Sequence, residues 1–181
     1  MSDWAAFERE HNFENMLREA AEQAVAELLA QDPTRSYTGF GADCNAEYGD
    51  VFLTALWNEK PDLPKLKDSL GWIAEWNGAF FSDSVFEDSE PLEAFKYAIQ
   101  THLENKLDEI GGEPPHQPFL NYCDAFCAEF MNVVTRVLFA IQQKTPALES
   151  ALFLVTDHDE MNEDAIKRLE RVTGKPTFGD A

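Results

Sequence analysis

Basic residues are scarce in this sequence. Lys and Arg account for 14 of the 181 residues, whereas Asp and Glu account for 34, so the formal net charge is −20. Binding to nucleic acid requires cations that displace counterions from the phosphates, and no segment of the chain concentrates Lys and Arg. An anionic membrane surface would repel the same charge. The sequence therefore predicts that neither nucleic acid nor a membrane is a partner.

Cysteine is also rare, with three in the chain at Cys44, Cys123 and Cys127. An odd number of cysteines in a chain with ample apolar residues argues against a disulfide framework. Cys123 and Cys127 lie on the apolar side of a predicted helix, where a free thiol packs as a small hydrophobic group. We therefore expect reduced, buried cysteines rather than a zinc or redox site.

The sequence pattern also shows neither a targeting segment nor a membrane-spanning segment. The first ten residues lack the basic start and the apolar run of a secretory signal, which favours a cytoplasmic protein. The most apolar segment, 119–141, is interrupted by Asp124, Glu129 and Arg136, and each of these groups is costly in hydrocarbon. We therefore predict no membrane span.

The usual catalytic signatures do not occur. The sequence contains no Gly-x-Ser-x-Gly elbow, no glycine-rich phosphate loop and no His-Glu-x-x-His motif, and its four histidines are scattered. No catalytic residue and no cofactor are therefore assigned, and the balance favours a protein that is not an enzyme. An enzyme remains an alternative because active sites are often assembled from residues far apart in sequence.

Hydrophobic periodicity predicts a single α+β domain over 1–181. Three long helices and one shorter helix pack on a small, mainly antiparallel sheet in this prediction. The first two strands are joined as a hairpin, and the third is short and apolar enough to be buried. The predicted helices cover 4–30, 89–110, 118–143 and 162–172, and the predicted strands cover 36–42, 51–57 and 151–156.

An acidic cluster follows the third predicted strand. Asp157, Asp159 and Glu160 are weak candidates for a cation site, since hard cations bind clustered oxygens. A calcium loop of the EF-hand type requires Gly at its sixth position and Glu at its twelfth, but Asn162 and Arg168 stand there. Acids before a helix also cap its free N–H groups and complement its dipole. No metal ion is therefore assigned.

Aromatic and acidic residues are interleaved in the stretch from 57 to 87. Rings that anchor and carboxylates that steer a basic partner are typical of a protein-binding surface. The alternative is that these rings close one end of the core. The candidate partner-binding residues are Trp57, Trp72, Trp76, Asp83 and Glu87.

Several local patterns occur together and in order along most of the chain. They are a Tyr-x-x-Phe strand at Tyr37, Asn58-Glu59 after the second strand, Trp72-x3-Trp76, and a Val-Thr-Asp strand before the last helix. Together they resemble a bacterial domain family of unknown function whose members are small, acidic and cytoplasmic. The resemblance implies a fold rather than an activity.

These observations favour a cytoplasmic, non-enzymatic protein-binding module, for example an immunity-type inhibitor of a basic partner. The first alternative is a metal-dependent or carboxylate-based hydrolase that uses the acids around Asp157. The second is a structural or oligomerisation module. No pattern in the sequence specifies the oligomeric state.

Overall fold

The computed structural model describes residues 3–57, 90–111, 116–158, 160 and 162–176. Within these ranges the chain forms five helices and three strands, and the predicted α+β class is confirmed. In chain order the elements are α1 (Trp4–His11), α2 (Phe13–Gln31), β1 (Gly39–Asn45), β2 (Asp50–Leu56), α3 (Glu90–Ile110), α4 (Gln117–Lys144), β3 (Leu152–Asp157) and α5 (Asn162–Thr173).

The sheet has the strand order β2-β1-β3. The first two strands form the predicted antiparallel hairpin, in which Gly39 is paired with Leu56. The third strand lies parallel to β1, with Gly39 opposite Leu152. Parallel pairing is possible because helices separate β2 from β3 and allow the chain to return in the same direction. Among the described strands the sheet is thus mixed, with one pair of each kind, rather than mainly antiparallel.

The predicted helix over 4–30 is in fact two helices. Asn12 adopts the left-handed conformation, with φ of 53°. This residue ends α1 and immediately precedes α2. Asn tolerates this conformation better than most residues. The break lets α1 fold back so that Trp4 and Phe7 join the core, where both rings contact Phe126. Helical periodicity alone does not reveal such a change of direction.

The core is built around α4, which contacts every other described helix as well as β1 and β3. Its apolar residues cover most of its circumference, as the sequence indicated. A stack of rings lies at its centre, with the centroid of Phe13 at 3.9 Å from that of Phe95 and 5.2 Å from that of Phe130. None of the helices in the described ranges has the combination of length and apolarity that crossing a bilayer requires.

Glycines at two kinds of position shape these elements. Gly111 and Gly174 follow α3 and α5 with φ of 73° and 67°, the left-handed conformation in which glycine commonly ends a helix. Gly41 lies in β1 opposite Leu154, and a Cβ at this position would overlap the backbone carbonyl of Leu154. The absence of a side chain at Gly41 is therefore what allows β1 and β3 to approach.

Candidate functional site

The carboxyl ends of β1 and β3 meet at one edge of the sheet because the two strands are parallel. Asp43 lies opposite Thr156, and Cys44 lies opposite Asp157. This edge of a parallel strand pair commonly carries ligand sites, since loops leave it in a common direction. Neighbouring side chains along a strand point to opposite faces, so Asp43 shares one face of the sheet with Thr156, whereas Asp157 lies on the other face with Cys44.

The carboxylate of Asp157 ties the two strand ends together. Its Oδ1 accepts a hydrogen bond from the backbone N–H of Ala46, at 3.1 Å, and another from that of His158, at 2.9 Å. Burial raises the pKa of Asp157, while the two backbone N–H groups oppose the rise. One oxygen of this weak cation candidate is thus already used to hold the loop that follows β1.

Asp43 was not among the candidates drawn from the sequence. Its Oδ1 lies 3.4 Å from the hydroxyl of Thr156, which donates to it, and burial raises its pKa even though His158 is nearby. A carboxyl group whose charge is disfavoured at a sheet edge is a candidate functional group. Its position inside an apolar strand, between Ala42 and Cys44, is the signal in the sequence.

Glu160 forms an ion pair with Arg168 of α5. Arg168 Nε donates to Glu160 Oε1 at 3.0 Å, and its Nη2 donates to Glu160 Oε2 and, at 2.9 Å, to the carbonyl of Val155. Nη1 donates to the Thr135 hydroxyl at 2.5 Å. The guanidinium, on a residue only 5 % exposed, makes these four hydrogen bonds with its five N–H donors, so the Glu160 carboxylate has a structural role here.

The described side chains at this edge do not form a metal centre. No group of three or more His, Cys, Asp or Glu side chains in the described ranges could hold a metal ion, and Asp159 lies outside those ranges. The three cysteines are buried and free. Burial and the charge of Glu47 raise the pKa of the Cys123 thiol to about 11. Burial and the charge of Asp157 raise the pKa of the Cys127 thiol to about 12. These thiols are therefore protonated and inert at neutral pH.

Trp57 is the one predicted partner-binding residue within the described ranges. It is half-buried, and the guanidinium of Arg35 lies 4.1 Å from the centroid of its ring. The ring of Tyr37 meets it edge-on at 6.3 Å. Trp72, Trp76, Asp83 and Glu87 lie outside the described residues. A partner-binding role for these five residues remains a prediction.

A second surface lies around the turn between β1 and β2. We define the turn patch as Glu47 and Tyr48, which are both exposed in this turn. The other large hydrophobic side chains exposed in the described ranges are Tyr97 on α3 and Leu120 on α4, and Leu120 lies four residues before the exposed Asp124. Tyr48 is 53 % exposed and Tyr97 is 70 % exposed. Their ring surfaces are therefore free to contact another molecule.

Three elements converge at the turn patch. Lys96 of α3 pairs with Asp50 at the start of β2, with Nζ and Oδ1 2.8 Å apart. Gly49 is packed so tightly against α3 that an added Cβ would lie 3.0 Å from Ile99 Cδ1. The charge of Glu47 also contributes to the raised pKa of Cys123 in α4, so the turn and the start of α4 lie near each other. The described contacts hold the turn against α3.

The sequence carried a signal for both tyrosines. Tyr48 is a large aromatic residue in the polar loop between two strands, where small residues are usual. Tyr97 lies on α3 away from the buried stripe that contains Phe95 and Ile99. An aromatic residue off the apolar face of a helix, and another in a hairpin loop, indicate a surface rather than a core role.

Comparison with known proteins yields no assignment. No family model matches the chain, and neither a curated protein nor a solved structure matches it. The resemblance to a bacterial family of unknown function therefore stays a prediction.

Proposed function

We propose that this chain is a non-enzymatic protein-binding module that recognises a basic partner, in the manner of an immunity-type inhibitor. The observation that carries the proposal is the exposure of Tyr48 beside Glu47 in the turn, and of Tyr97 on α3, in a chain with a net charge of −20. Exposed tyrosines supply large, rigid contact area, and surrounding carboxylates attract positive charge.

Charge and rings have separate roles in this proposal. The negative field of the whole chain accelerates encounter with a basic protein, and salt screens this field within about 10 Å at 0.1 M ionic strength. The tyrosines and Leu120 then determine how long the complex lasts, because they are the groups that lose water on contact. Lys96 and Asp50 form an ion pair, so their charges largely cancel and the pair contributes little to this field.

The experiment is a pull-down from the native host with the full chain as bait, at low and at high salt. We expect a basic protein to be recovered at low salt and to be lost at high salt. The double variant Tyr48→Ser/Tyr97→Ser should recover at least about tenfold less of it, since interface anchors are worth about 2 kcal/mol each.

The matched control is Glu22→Gln/Glu27→Gln, which removes two exposed acids from α2, away from the turn patch. It should recover nearly as much partner as the wild type. Recovery that is equal for the wild type and the tyrosine variant, or that contains no basic protein, contradicts the proposal.

A carboxylate-based hydrolase is the second candidate, and the raised pKa values of Asp43 and Asp157 favour it. If either carboxyl binds a divalent ion, millimolar magnesium, calcium or manganese will raise the melting temperature by mass action. Because Asp43 and Asp157 lie on opposite faces of the sheet, the single variants Asp43→Asn and Asp157→Asn are compared, and the one that removes the ligand should abolish that rise. An unchanged melting temperature with all three ions contradicts a metal-dependent reaction at this edge.

A further inference from the structure

A cleft of about 550 Å³ opens at the opposite end of the sheet from the acidic cluster. It lies where β1 and β3 begin and where α4 and α5 end. Its volume falls within the range of small-molecule sites, which are largely apolar with a few fixed polar groups. Its lining includes Gln142, Phe139, Phe153, Lys175, Gln143 and Glu149.

The floor of the cleft contains an amide whose orientation is set by its surroundings. Gln142 is 2 % exposed, and its Nε2 donates to the carbonyls of Leu148, at 3.2 Å, and Ala151, at 2.7 Å. Its Oε1 accepts no hydrogen bond from the described part of the chain. An amide oxygen held in place in the floor of a cleft, as Gln142 Oε1 is, favours a ligand that carries an N–H or O–H donor.

The side walls supply apolar and cationic contacts. The half-buried rings of Phe139 and Phe153 have centroids 5.3 Å apart. Lys175 Nζ lies 5.2 Å from the centroid of Phe139 and donates to Gln143 Oε1 at 2.7 Å. The ammonium is thereby kept at the rim, above an aromatic surface.

The charges around the cleft also restrict how many negative groups a ligand can carry. Lys175 is the single cation among the described lining residues, and Glu149 is the single anion. One negative group on the ligand can pair with Lys175, whereas several would be repelled by Glu149 and by the net charge of −20. Nucleotides and other polyanions are therefore disfavoured.

We propose that this cleft binds a small aromatic ligand with a ring N–H donor and a single carboxylate, a class to which the indole carboxylates belong. The ring packs against Phe139 and Phe153, the N–H donates to Gln142 Oε1, and the carboxylate pairs with Lys175. The cleft is separate from the turn patch, so this ligand site is independent of the proposed protein-binding function.

The test is a titration of the ¹⁵N-labelled full chain with indole-3-acetate, followed by NMR. We expect shifts in the side-chain amide of Gln142 and in the backbone amides of Ala151 and Phe153. Lys175→Gln should weaken binding of indole-3-acetate about threefold, because an exposed ion pair contributes about that much to affinity. Binding of indole, which has no carboxylate, should be unchanged. Lys144→Gln, which removes the same charge from an exposed position outside the lining, should change neither.

Naphthalene-1-acetate tests the N–H donor, because it retains the carboxylate and the aromatic surface. Its affinity should be about fivefold lower than that of indole-3-acetate, since one neutral hydrogen bond is lost. Equal affinity for the two compounds, or equal weakening by Lys175→Gln and Lys144→Gln, overturns the assigned contacts. Unchanged resonances from the lining residues at millimolar indole-3-acetate overturn the site itself.

Discussion

Arg168 of α5 holds Glu160 through two hydrogen bonds and, with the same guanidinium, bonds the carbonyl of Val155 in β3. The backbone N–H of His158 donates to the carbonyl of Cys44 in β1, and that of Leu152 donates to the carbonyl of Thr38. The backbone N–H and carbonyl groups of the even-numbered residues of β3 therefore point towards β1. The carbonyl of the odd-numbered Val155 points the other way, to the outer edge of the strand. Arg168 covers this edge, which would otherwise present an unpaired carbonyl to another strand.

Removal of the Arg168 side chain should destabilise the fold strongly. Arg168→Met leaves the Glu160 carboxylate, the Thr135 hydroxyl and the Val155 carbonyl without their donor, and breaking a buried pair costs about 3 kcal/mol or more. Urea unfolding measures this loss. Arg171→Met removes an exposed arginine one turn later, whose described bond is to Asn132, and should cost less than about 1 kcal/mol. Similar losses for the two variants would contradict the role assigned to Arg168.

The pairing of Arg168 with Glu160 predicts non-additivity. In the double variant Arg168→Met/Glu160→Met no buried charge is left without a partner, so stability should recover by about 1 kcal/mol or more relative to Arg168→Met alone. A double-mutant cycle in urea measures the coupling. Purely additive losses would show that the two side chains act independently.

Asp3 should make the protein acid-sensitive between pH 4 and pH 2. Burial opposes ionisation of Asp3, but hydrogen bonds from Tyr122 and Lys106 and the charge of nearby His102 lower its pKa to about 2, from 3.8. A lowered folded-state pKa stabilises the fold above the unfolded-state value, and this stability is lost as the pH falls towards 2. Melting temperatures measured from pH 5 to pH 2 should show this loss.

The matched variant for this acid sensitivity is Asp3→Asn. It should lose about 1 kcal/mol at pH 7, with allowance for solvent screening, and a smaller amount of further stability on acidification than the wild type. Glu22→Gln, at an exposed position of α2, should follow the wild-type curve. An Asp3→Asn curve parallel to that of the wild type below pH 4 would be inconsistent with the assigned pKa.

Asp43→Asn should stabilise the protein at neutral pH. Burial raises the pKa of Asp43, so the charged carboxylate is unfavourable in the folded state, and this cost is present above its folded-state pKa and absent below the unfolded-state value. We expect a melting temperature higher by on the order of 2 °C at pH 7 and no difference at pH 3. Asp108→Asn, at an exposed site on α3, serves as the control. A lower melting temperature at pH 7 would count against this account of Asp43.

Gly41→Ala should disrupt the pairing of β1 with β3. The new methyl group would overlap the backbone carbonyl of Leu154, and a backbone group cannot move aside as a flexible side chain does. We expect a loss of about 3 kcal/mol, at the upper end for overpacking. Gly174→Ala meets no neighbour and is strained only by its positive φ, so it should cost about 1 kcal/mol. Equal losses by chemical denaturation would refute the close approach at Gly41.

Much of the fold follows from local patterns in the sequence. Apolar periodicity predicted α3, α4 and α5 to within about two residues, and Gly111 and Gly174 stop two of them because glycine adopts positive φ without strain. The hairpin of β1 and β2 and the buried strand β3 were predicted in the same way. The break at Asn12 was not, because either one or two helices would satisfy the periodicity.

The candidate sites depended far more on spatial arrangement. The acids near Asp157 were visible as a cluster, but the hydrogen bond from Thr156 to Asp43 forms only because β3 pairs parallel to β1, a choice of direction that no local pattern encodes. Glu160 looked available as a ligand until the fold brought Arg168 against it from α5. The cleft at Gln142 is formed by three regions that are distant along the chain, 36–38, 139–153 and 169–176.

The sequence by itself determined the charge of −20, the α+β class, most element boundaries and the burial of the cysteines, because these follow from composition and short-range periodicity. Tertiary structure alone decided the parallel β1–β3 pairing, the turn at Asn12 and the contact of Arg168 with Glu160. These features depend on which surfaces pack against each other, and packing between distant segments is specified by the whole core rather than by any one stretch of residues.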